Sequence, residues 1–253
     1  HPSENVKGEI EFDHVSFAYP EAGENVLTDI SLKAKKGQTI AVIGSTGSGK
    51  STLINLIPRY YDVTKGSVKV DGVDVRDMTQ KELRDKLGYV PQKGVLFSGT
   101  IDSNIRYGKP EITDAQVKEA AEVAQATEFI DTKPEKYESP VSQGGTNVSG
   151  GQKQRLSIAR AIAKDPEIFI FDDSFSALDF KTDSQLRKAL KEYTKDATTV
   201  IVAQRISTIL GADQIIVLDD GHMAGIGTHK ELMANCEVYQ QIARSQLSEE
   251  ELA

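Results

Sequence analysis

Tryptophan is absent from this 253-residue chain, cysteine occurs once, and long apolar runs are missing. Because a membrane-spanning helix needs about 20 consecutive apolar residues, the sequence predicts no such helix. The single cysteine, Cys236, excludes an internal disulfide and favours a reducing compartment. The sequence places no electropositive group around it that would activate a thiol, so we expect Cys236 to serve packing rather than chemistry.

Positive charge is also scarce, with 30 Lys and Arg against 38 Asp and Glu and a formal net charge of −8. General nucleic-acid binding depends on clustered Lys and Arg, so this balance argues against a nucleic-acid partner. It argues equally against a basic membrane-surface patch. Hydrophobic and charged contents of 38% and 27% are typical of a soluble globular protein. The chain shows neither a starting Met nor a signal peptide, so we expect a piece of a longer polypeptide.

Alternating apolar residues predict an antiparallel β piece near the N-terminus. Residues 9–19 alternate with a slip of phase at Asp13–His14, which indicates a half-buried strand with a bulge. Residues 26–34 form a second predicted strand. Asp71–Gly72, which lies between valines, is a strong hairpin signal.

Continuous apolar runs later in the chain predict parallel strands that are buried on both faces. These runs are Ile168–Phe171, Thr198–Ala203 and Ile215–Leu218, and they alternate with predicted helices. The alternation favours an α/β fold with a mostly parallel sheet. Residues from about 93 to 164 instead indicate an inserted α-helical subdomain. We therefore expect one domain over 1–253, with its core at about 1–92 and 165–253.

The C-terminal region is predicted to be one helix followed by an acidic tail. Thr228–Glu231 matches a capping box for this helix, whose apolar residues include Leu232, Met233, Tyr239 and Ile242. Residues 248–253 are predicted to form a frayed terminus.

A glycine-rich stretch after the apolar run Ile40–Ile43 carries the strongest chemical signal. It matches G-x-x-x-x-G-K-[ST], in which backbone N–H groups wrap nucleotide phosphates and a helix N-terminus faces them. Lys50 would contact the β- and γ-phosphates, and the Ser51 hydroxyl would hold Mg²⁺. The alternative is a chance glycine-rich loop beside a lysine, but strand, loop and helix occur in the required order. The predicted phosphate-binding residues are Gly44, Ser45, Thr46, Gly47, Ser48, Gly49, Lys50, Ser51 and Thr52.

An acidic residue at the end of a neighbouring strand would complete such a site. Asp172 ends the Ile168–Phe171 run and suits a Mg²⁺ ligand, either directly or through water. An aspartate that ends an apolar strand is often only structural, and the presence of Lys50 favours the functional interpretation.

Together, these motifs resemble those of the nucleotide-binding domain of an ATP-binding-cassette (ABC) transporter. The resemblance implies a P-loop NTPase fold. Val148–Gln152 matches the family signature, Ile168–Asp172 the Walker B strand and Ser176–Asp179 the D-loop. The resemblance implies ATP and Mg²⁺ as cofactors, with Gln92 of the Q-loop as a further Mg²⁺ ligand. It also implies an aromatic residue that stacks on adenine, at Tyr19, although Tyr19 could be an ordinary edge aromatic. The remaining cofactor contacts that it implies are Val26, Gln92 and Asp179.

The signature residues begin a predicted helix, where free N–H groups favour anions. Ser149 could be a plain N-cap that needs no ligand, but a cap does not require the two glycines that follow. The resemblance implies that this helix start contacts ATP held by a second nucleotide-binding domain, in a head-to-tail dimer. The residues concerned are Ser149, Gly150, Gly151 and Gln152.

Two positions depart from the family pattern. The catalytic Glu after Asp172 is replaced by Asp173, which is one methylene shorter, and the switch His is replaced by Gln204, which carries no charge near neutral pH. Harmless substitution is one interpretation. Since both changes affect hydrolysis and neither affects binding, we favour a site that binds ATP and hydrolyses it slowly.

Residues 97–108 resemble exporters in which membrane helices precede this domain on the same chain. We therefore expect an upstream membrane domain, contacts with its coupling helices, and a position on the cytoplasmic face of the plasma membrane. Gln143 lies in the stretch that couples to the membrane domain. The slow site suggests a non-identical half-transporter as partner. The alternatives are a homodimeric exporter that tolerates Asp173 and Gln204, and a soluble ABC-type ATPase that acts on nucleic acid or ribosomes.

Overall fold

The computed structural model describes residues 7–107 and 109–247. They form two compact units, one from residues up to 87 together with those from 196 onward, and the other from residues 88–195. The acidic tail predicted at 248–253 lies outside the described residues. None of the described helices is both long enough and apolar enough to cross a bilayer.

The regular elements follow one another along the chain as strands and mostly short helices. They are β1 (Ile10–Phe17), β2 (Leu27–Ala34), β3 (Thr39–Gly44), α1 (Lys50–Asn55), β4 (Lys65–Val70), β5 (Val73–Asp74), α2 (Gln80–Asp85), β6 (Leu87–Val90), β7 (Gly99–Thr100), α3 (Ile101–Ile105), α4 (Asp114–Val123), α5 (Thr127–Asp131), β8 (Pro140–Val141), α6 (Gly150–Ala163), β9 (Ile168–Asp172), α7 (Phe180–Tyr193), β10 (Thr198–Val202), β11 (Gln214–Asp219), β12 (His222–Gly227), α8 (His229–Asn235) and α9 (Glu237–Gln246).

An antiparallel sheet in the first unit has the strand order β2-β1-β4-β5. The register between β1 and β2 shifts between Phe12 and Val15, and His14 adopts a φ of 47°, so the predicted bulge is confirmed. The β4–β5 hairpin turns through Asp71 and Gly72, with φ values of 55° and 78°. Positive φ at both central residues is what a tight hairpin turn of this twist requires, and Asp-Gly supplies it at low cost.

A second sheet in the same unit places β3 between β10 and β11. Both neighbours run parallel to β3, and β12 closes the edge antiparallel to β11. The middle of β3 is fully buried, as a strand covered on both faces must be. The predicted α/β fold with a mostly parallel sheet and an N-terminal antiparallel piece is confirmed.

The second unit is mainly helical. It contains α3 to α7, a small β7–β8 pair, and the strand β9. Capping boxes start α4 at Thr113 and α6 at Ser149, which satisfies N–H groups at helix ends that otherwise lack partners. This unit extends beyond the helical segment predicted at 93–164 because it also includes β9 and α7.

One prediction about the C-terminal region is wrong, because two helices replace the single one expected. Cys236 interrupts the helical path with φ −121° and ψ 106°, so α8 and α9 are separate. The capping box at Thr228 is confirmed. Cys236 is 5% exposed and packs in an apolar cluster with Leu232 and Tyr239, which is the packing role expected of it. Burying that cluster favours a break over one continuous helix.

Candidate nucleotide-binding site

The glycine-rich loop joins the carboxyl end of β3 to the start of α1, and its glycines are required by local geometry. A Cβ on Gly44 would collide with the carbonyl oxygen of Leu218. Gly49 has φ +103°, and a Cβ there would lie 2.8 Å from the Leu27 side chain. A side chain at either position would therefore distort the loop. The loop backbone follows a path that only glycine permits at these two points.

The Lys50 side chain folds back over this loop. Its Nζ donates to the Gly44 carbonyl oxygen at 2.5 Å and to the Ser45 carbonyl oxygen at 3.5 Å. Within the described residues no side chain caps α1, and its first turn closes with a bond from the Leu53 N–H to the Gly49 carbonyl oxygen at 2.9 Å. A cation and the N-terminus of a helix therefore lie together at the loop, which favours a bound anion.

Ser48 is the most buried residue of the loop, at 2% exposure. Its backbone is fully used, since its N–H donates to Ser45 and its carbonyl oxygen accepts from the Gly221 N–H. Its hydroxyl has no hydrogen-bond partner among the residues that the structure describes. Buried hydroxyls without a partner are uncommon. The Ser48 hydroxyl can therefore still form a hydrogen bond with a bound group.

Tyr19 lies beside α1 and is held in place by its hydroxyl and by its ring. The hydroxyl pairs with Thr52 Oγ1 at 2.8 Å. The ring makes edge contacts with Phe17 and Tyr61, at centroid distances of 4.9 and 5.2 Å. The side chain is half-buried. This arrangement fixes an aromatic ring next to α1, the helix that follows the glycine-rich loop. The backbone N–H of Val26 donates to the Phe17 carbonyl oxygen at 2.7 Å.

Gln204 lies where the chain leaves β10. Its side chain is exposed, and its carbonyl oxygen accepts from Gln246 Nε2 at 2.8 Å. The preceding residue, Ala203, still pairs with β3 through its N–H to Val42 at 3.3 Å. Gln204 is therefore the first residue past the parallel sheet, at the same edge from which the glycine-rich loop departs.

In the second unit, the two aspartates after β9 have different partners. Asp172 Oδ2 accepts from the Tyr89 hydroxyl at 3.5 Å, and Asp173 Oδ2 accepts from Gln92 Nε2 at 3.3 Å. Asp173 has a φ of 51°, a left-handed conformation that Asp tolerates better than most residues. The geometry brings Gln92, Asp172 and Asp173 together on one edge of this unit.

Two buried side chains fix the backbone around these acids. The Ser174 hydroxyl donates to the Val90 carbonyl oxygen at 2.7 Å, and Gln154 Nε2 donates to the Pro91 carbonyl oxygen at 3.1 Å. Ser174 and Gln154 are 0% and 1% exposed. Because buried hydrogen bonds are costly to break, the segment before Gln92 is tied both to the turn after β9 and to α6.

The start of α6 has a reciprocal cap. Ser149 Oγ accepts from the Gln152 N–H at 3.1 Å, and Gln152 Oε1 accepts from the Ser149 N–H at 3.3 Å. A Cβ on Gly150 would meet nothing within 4 Å, and one on Gly151 would make only ordinary contacts. Packing within this unit therefore explains Ser149 and Gln152 but not Gly150.

Arg155 supports this helix start from one turn below. Its Nε donates to the Gly151 carbonyl oxygen at 3.2 Å, one of its terminal nitrogens donates to the Gln125 carbonyl oxygen at 3.0 Å, and its guanidinium lies over the Phe129 ring. Burial lowers the pKa of Arg155, while the nearby Asp179 carboxylate opposes that shift. An arginine remains charged under such a shift, so positive charge stays beside the helix start.

Asp179 is the N-cap of the next helix, α7. Its carboxylate accepts from the Thr182 N–H at 2.8 Å and from the Thr182 hydroxyl at 3.0 Å. These bonds to Thr182 hold the pKa of Asp179 below its ordinary value.

The predicted site residues thus form one group in each unit. The first unit contains Tyr19, Val26, Gln204 and residues 44–52, and the second contains Gln92, Asp172, Asp173, Asp179 and residues 149–152. Reasoning from sequence missed three supporting residues, Tyr89, Arg155 and Gln246. Tyr89 is one residue before the end of β6 and Arg155 is one helical turn after Gly151, so spacing could have suggested both. No local signal marks Gln246.

Comparison with known proteins assigns the family. The family model described as ABC transporter matches residues 27–176, a range that includes the glycine-rich loop, the start of α6 and Asp172. The chain belongs to the ABC transporter family. Tyr19 and Gln204 lie outside the matched range.

Relatives within this ABC transporter family match almost the whole chain. An uncharacterized ABC transporter ATP-binding protein of Mycobacterium tuberculosis is 48% identical over 248 residues, which are 97% of this chain and 42% of that protein. A Staphylococcus aureus protein named for multidrug export, an ATP-binding/permease protein, is 47% identical over 241 residues, covering 95% and 42%. The chain therefore spans less than half the length of these relatives.

A solved structure has the same fold. The structure of a bacterial Atm1-family ABC exporter with ATP bound matches with a TM-score of 0.92 and 37% sequence identity. The match covers 98% of this chain and 44% of the exporter chain. The architecture described above is thus that of an ABC transporter domain.

Proposed function

We propose that this chain is the ATP-binding and ATP-hydrolysing domain of an ABC exporter. The observation that carries the proposal is the loop at 44–52, where Gly44 and Gly49 have no room for a side chain and Lys50 lies over the loop carbonyl groups. This arrangement suits the phosphates of a nucleotide. The name of the Staphylococcus aureus relative and the ATP-bound exporter structure support the same assignment.

The residues present fit Mg-ATP. Lys50 would contact the β- and γ-phosphates. The buried Ser48 hydroxyl, which has no hydrogen-bond partner within the described residues, could form a further bond to the ligand. Tyr19 offers a fixed ring for the adenine base. Ser51, Asp172 and Gln92 would hold Mg²⁺. When bound, Mg²⁺ would supply positive charge that favours phosphoryl transfer.

Hydrolysis at this chain's own loop is proposed to be slow. Asp173 is one methylene shorter than the family's Glu, and its carboxylate accepts from Gln92 in the structure. Gln204 can donate a hydrogen bond to a γ-phosphate but cannot carry a proton or a charge near neutral pH. Since neither residue belongs to the phosphate loop, ATP binding should be retained.

The proposed partner is a second nucleotide-binding domain, arranged head to tail so that the start of α6 faces the partner's ATP. The space beside Gly150 supports this, because the chain's own packing leaves that glycine unexplained. A non-identical half-transporter with Glu and His at the two changed positions would supply the faster site. A homodimer that tolerates Asp173 and Gln204 is the alternative.

The exporter assignment also implies a membrane domain and a position on the cytoplasmic face of the plasma membrane. An exposed aromatic pair, Phe97 and Tyr107, stacks at 4.4 Å, and the Arg160 guanidinium lies over both rings. Phe97 and Tyr107 are 39% and 57% exposed, so they offer a rigid surface for the coupling helices. Gln143 is part of a 3₁₀ turn, Gln143–Gly145, in the same unit. A soluble ABC-type ATPase acting on nucleic acid is disfavoured by the net charge of −8.

A binding experiment tests the proposal. Calorimetry should show Mg-ATP binding to the chain, and Lys50→Ala should weaken it by about tenfold or more, because that loss matches roughly one charge-assisted contact. Lys36→Ala, an exposed lysine in the turn before β3, is the matched control and should leave affinity unchanged. If the chain does not bind Mg-ATP, or if both variants bind it equally, the proposal is wrong.

A further inference from the structure

We infer that Gln246, at the end of α9, is a positioning residue for the switch residue Gln204. The inference rests on the proposed function, since it assigns a role in hydrolysis. Gln246 Nε2 donates to the Gln204 carbonyl oxygen at 2.8 Å, and Gln246 Oε1 accepts from the Ile206 N–H at 2.8 Å. A single carboxamide group therefore forms hydrogen bonds with the backbone on both sides of Arg205.

This contact provides hydrogen-bond partners to the backbone where the pairing of β10 with the sheet ends. The Ala203 N–H still bonds to Val42 on β3, and the next backbone bonds along the chain are Thr208 N–H to Arg205 and Ile209 N–H to Ile206. Between these bonds, the Gln246 side chain forms hydrogen bonds with the carbonyl group of Gln204 and with the N–H group of Ile206. An amide side chain presents a donor and an acceptor with the spacing that backbone groups use.

The base of Gln246 is held firmly enough to position another residue. On α9, Tyr239 and Ala243 are 0% exposed, and they share an apolar cluster with Ala203 and Ile206. Because buried apolar contacts of this kind resist displacement, the end of α9 and the loop at Gln204 are fixed to the same core. The two hydrogen bonds then set the backbone direction at Gln204.

Glutamine is the natural side chain with this capacity at this position. A glutamate would accept from Ile206 but could not donate to Gln204 at neutral pH, and an asparagine is one methylene shorter. A methionine keeps the length and helix preference of glutamine but makes neither bond. Gln246→Met therefore removes the contact with little other change.

The consequence concerns turnover rather than binding. Gln204 lies outside the phosphate loop, so freeing its backbone should lower kcat and leave KM nearly unchanged. A merely structural loss would instead affect stability alone. Gln240 provides the matched control, because its Nε2 donates to the Met233 carbonyl oxygen at 2.8 Å, a bond between α8 and α9 that does not touch the loop.

The test uses the full chain carrying Asp173→Glu and Gln204→His, in which turnover should be fast enough to measure. Adding Gln246→Met should lower kcat by about threefold or more, with KM within about twofold, as expected for a misoriented catalytic group. Adding Gln240→Met should leave kcat within about twofold. Amide exchange at Ile206, measured without nucleotide, should accelerate only in Gln246→Met, because the bond to its N–H is lost.

The outcomes separate the two claims. If the parent variant hydrolyses no ATP, the proposed function is wrong and this inference falls with it. If the parent is active but Gln246→Met keeps its kcat, or if Gln240→Met loses as much, the positioning role alone is wrong. Unchanged exchange at Ile206 would also overturn it.

Discussion

At the scale of single residues, the proposed slow hydrolysis depends on the reach of Asp173 and the charge of Gln204. Asp173 has a carboxylate on a side chain that is one methylene shorter than that of Glu. Its left-handed backbone, with φ 51°, sets the direction in which this side chain leaves the main chain. Gln204 keeps a hydrogen-bonding group but removes a titratable one. In the proposed slow site, both residues keep a polar group but differ from Glu and His in what that group can do to a water molecule.

His229 gives a residue-scale prediction that is independent of ATP. Its Nδ1 pairs with the Tyr239 hydroxyl at 2.6 Å, and its Nε2 is buried without a partner among the described residues. Burial lowers the pKa of His229 below its ordinary value and raises the pKa of Tyr239 to about 12. The tyrosine therefore stays protonated, and the folded state favours neutral histidine.

The sign of the pH effect follows from this depressed pKa. Below the unfolded-state value of about 6.5 the unfolded chain binds a proton that the folded chain resists, so stability should fall as the pH drops from 6.5 toward the folded pKa. His14 acts oppositely, because its bond to Asp29 raises its pKa. Comparing denaturant unfolding of the wild type and His229→Gln between pH 7 and 5 isolates the His229 contribution. The variant should show the smaller loss of stability on acidification, and equal losses would contradict this account.

At the scale of elements, the start of α6 separates stability from function. Gly150→Ala adds a Cβ that meets nothing within 4 Å, and alanine favours a helix over glycine by up to about 1 kcal/mol. The variant should therefore be as stable as the wild type or more stable, as measured by thermal unfolding. Its ATPase activity in a dimer should nevertheless fall, because the new methyl group fills space proposed for the partner's nucleotide.

Gly44→Ala is the contrasting variant. A Cβ there collides with the Leu218 carbonyl oxygen, so stability and ATP binding should both fall. If Gly150→Ala instead loses stability and keeps full activity, the proposed role of the α6 start is wrong.

The elements also show what the sequence could and could not predict. The β1 bulge, the Asp71–Gly72 hairpin and the cap at Ser149 follow from local rules, and all three are present. The break at Cys236 does not, because residues 229–246 have acceptable helical periodicity throughout. Packing of Cys236 into the cluster around Tyr239 decides it, and that cluster depends on contacts distant in sequence.

The same distinction applies to the site. Residues 44–52 were predictable because strand, turn and helix are contiguous. Gln246 acts on Gln204 across 42 positions of sequence, and Gln92 reaches Asp173 across 81. Such pairs depend on tertiary structure, which no local pattern encodes.

At the scale of the whole molecule, each unit contains part of the proposed chemistry. The first provides the phosphate loop, Tyr19 and Gln204, and the second provides Asp172, Asp173 and the α6 start. In the proposed head-to-tail dimer, a chain contributes its α6 start to the partner's site and its changed residues to its own. The consequence is an asymmetric pair of sites when the partner retains Glu and His.

The most direct test of this account is single-turnover ATP hydrolysis by the wild-type chain and by the double variant Asp173→Glu, Gln204→His, at saturating ATP. Calorimetry should first show similar Mg-ATP affinities for the two proteins, since the phosphate loop is unchanged. The double variant should then hydrolyse ATP about tenfold faster or more, because restoring the reach of the base corrects a misplacement of about 1 Å. Equal rates in the two proteins would contradict the slow-site account.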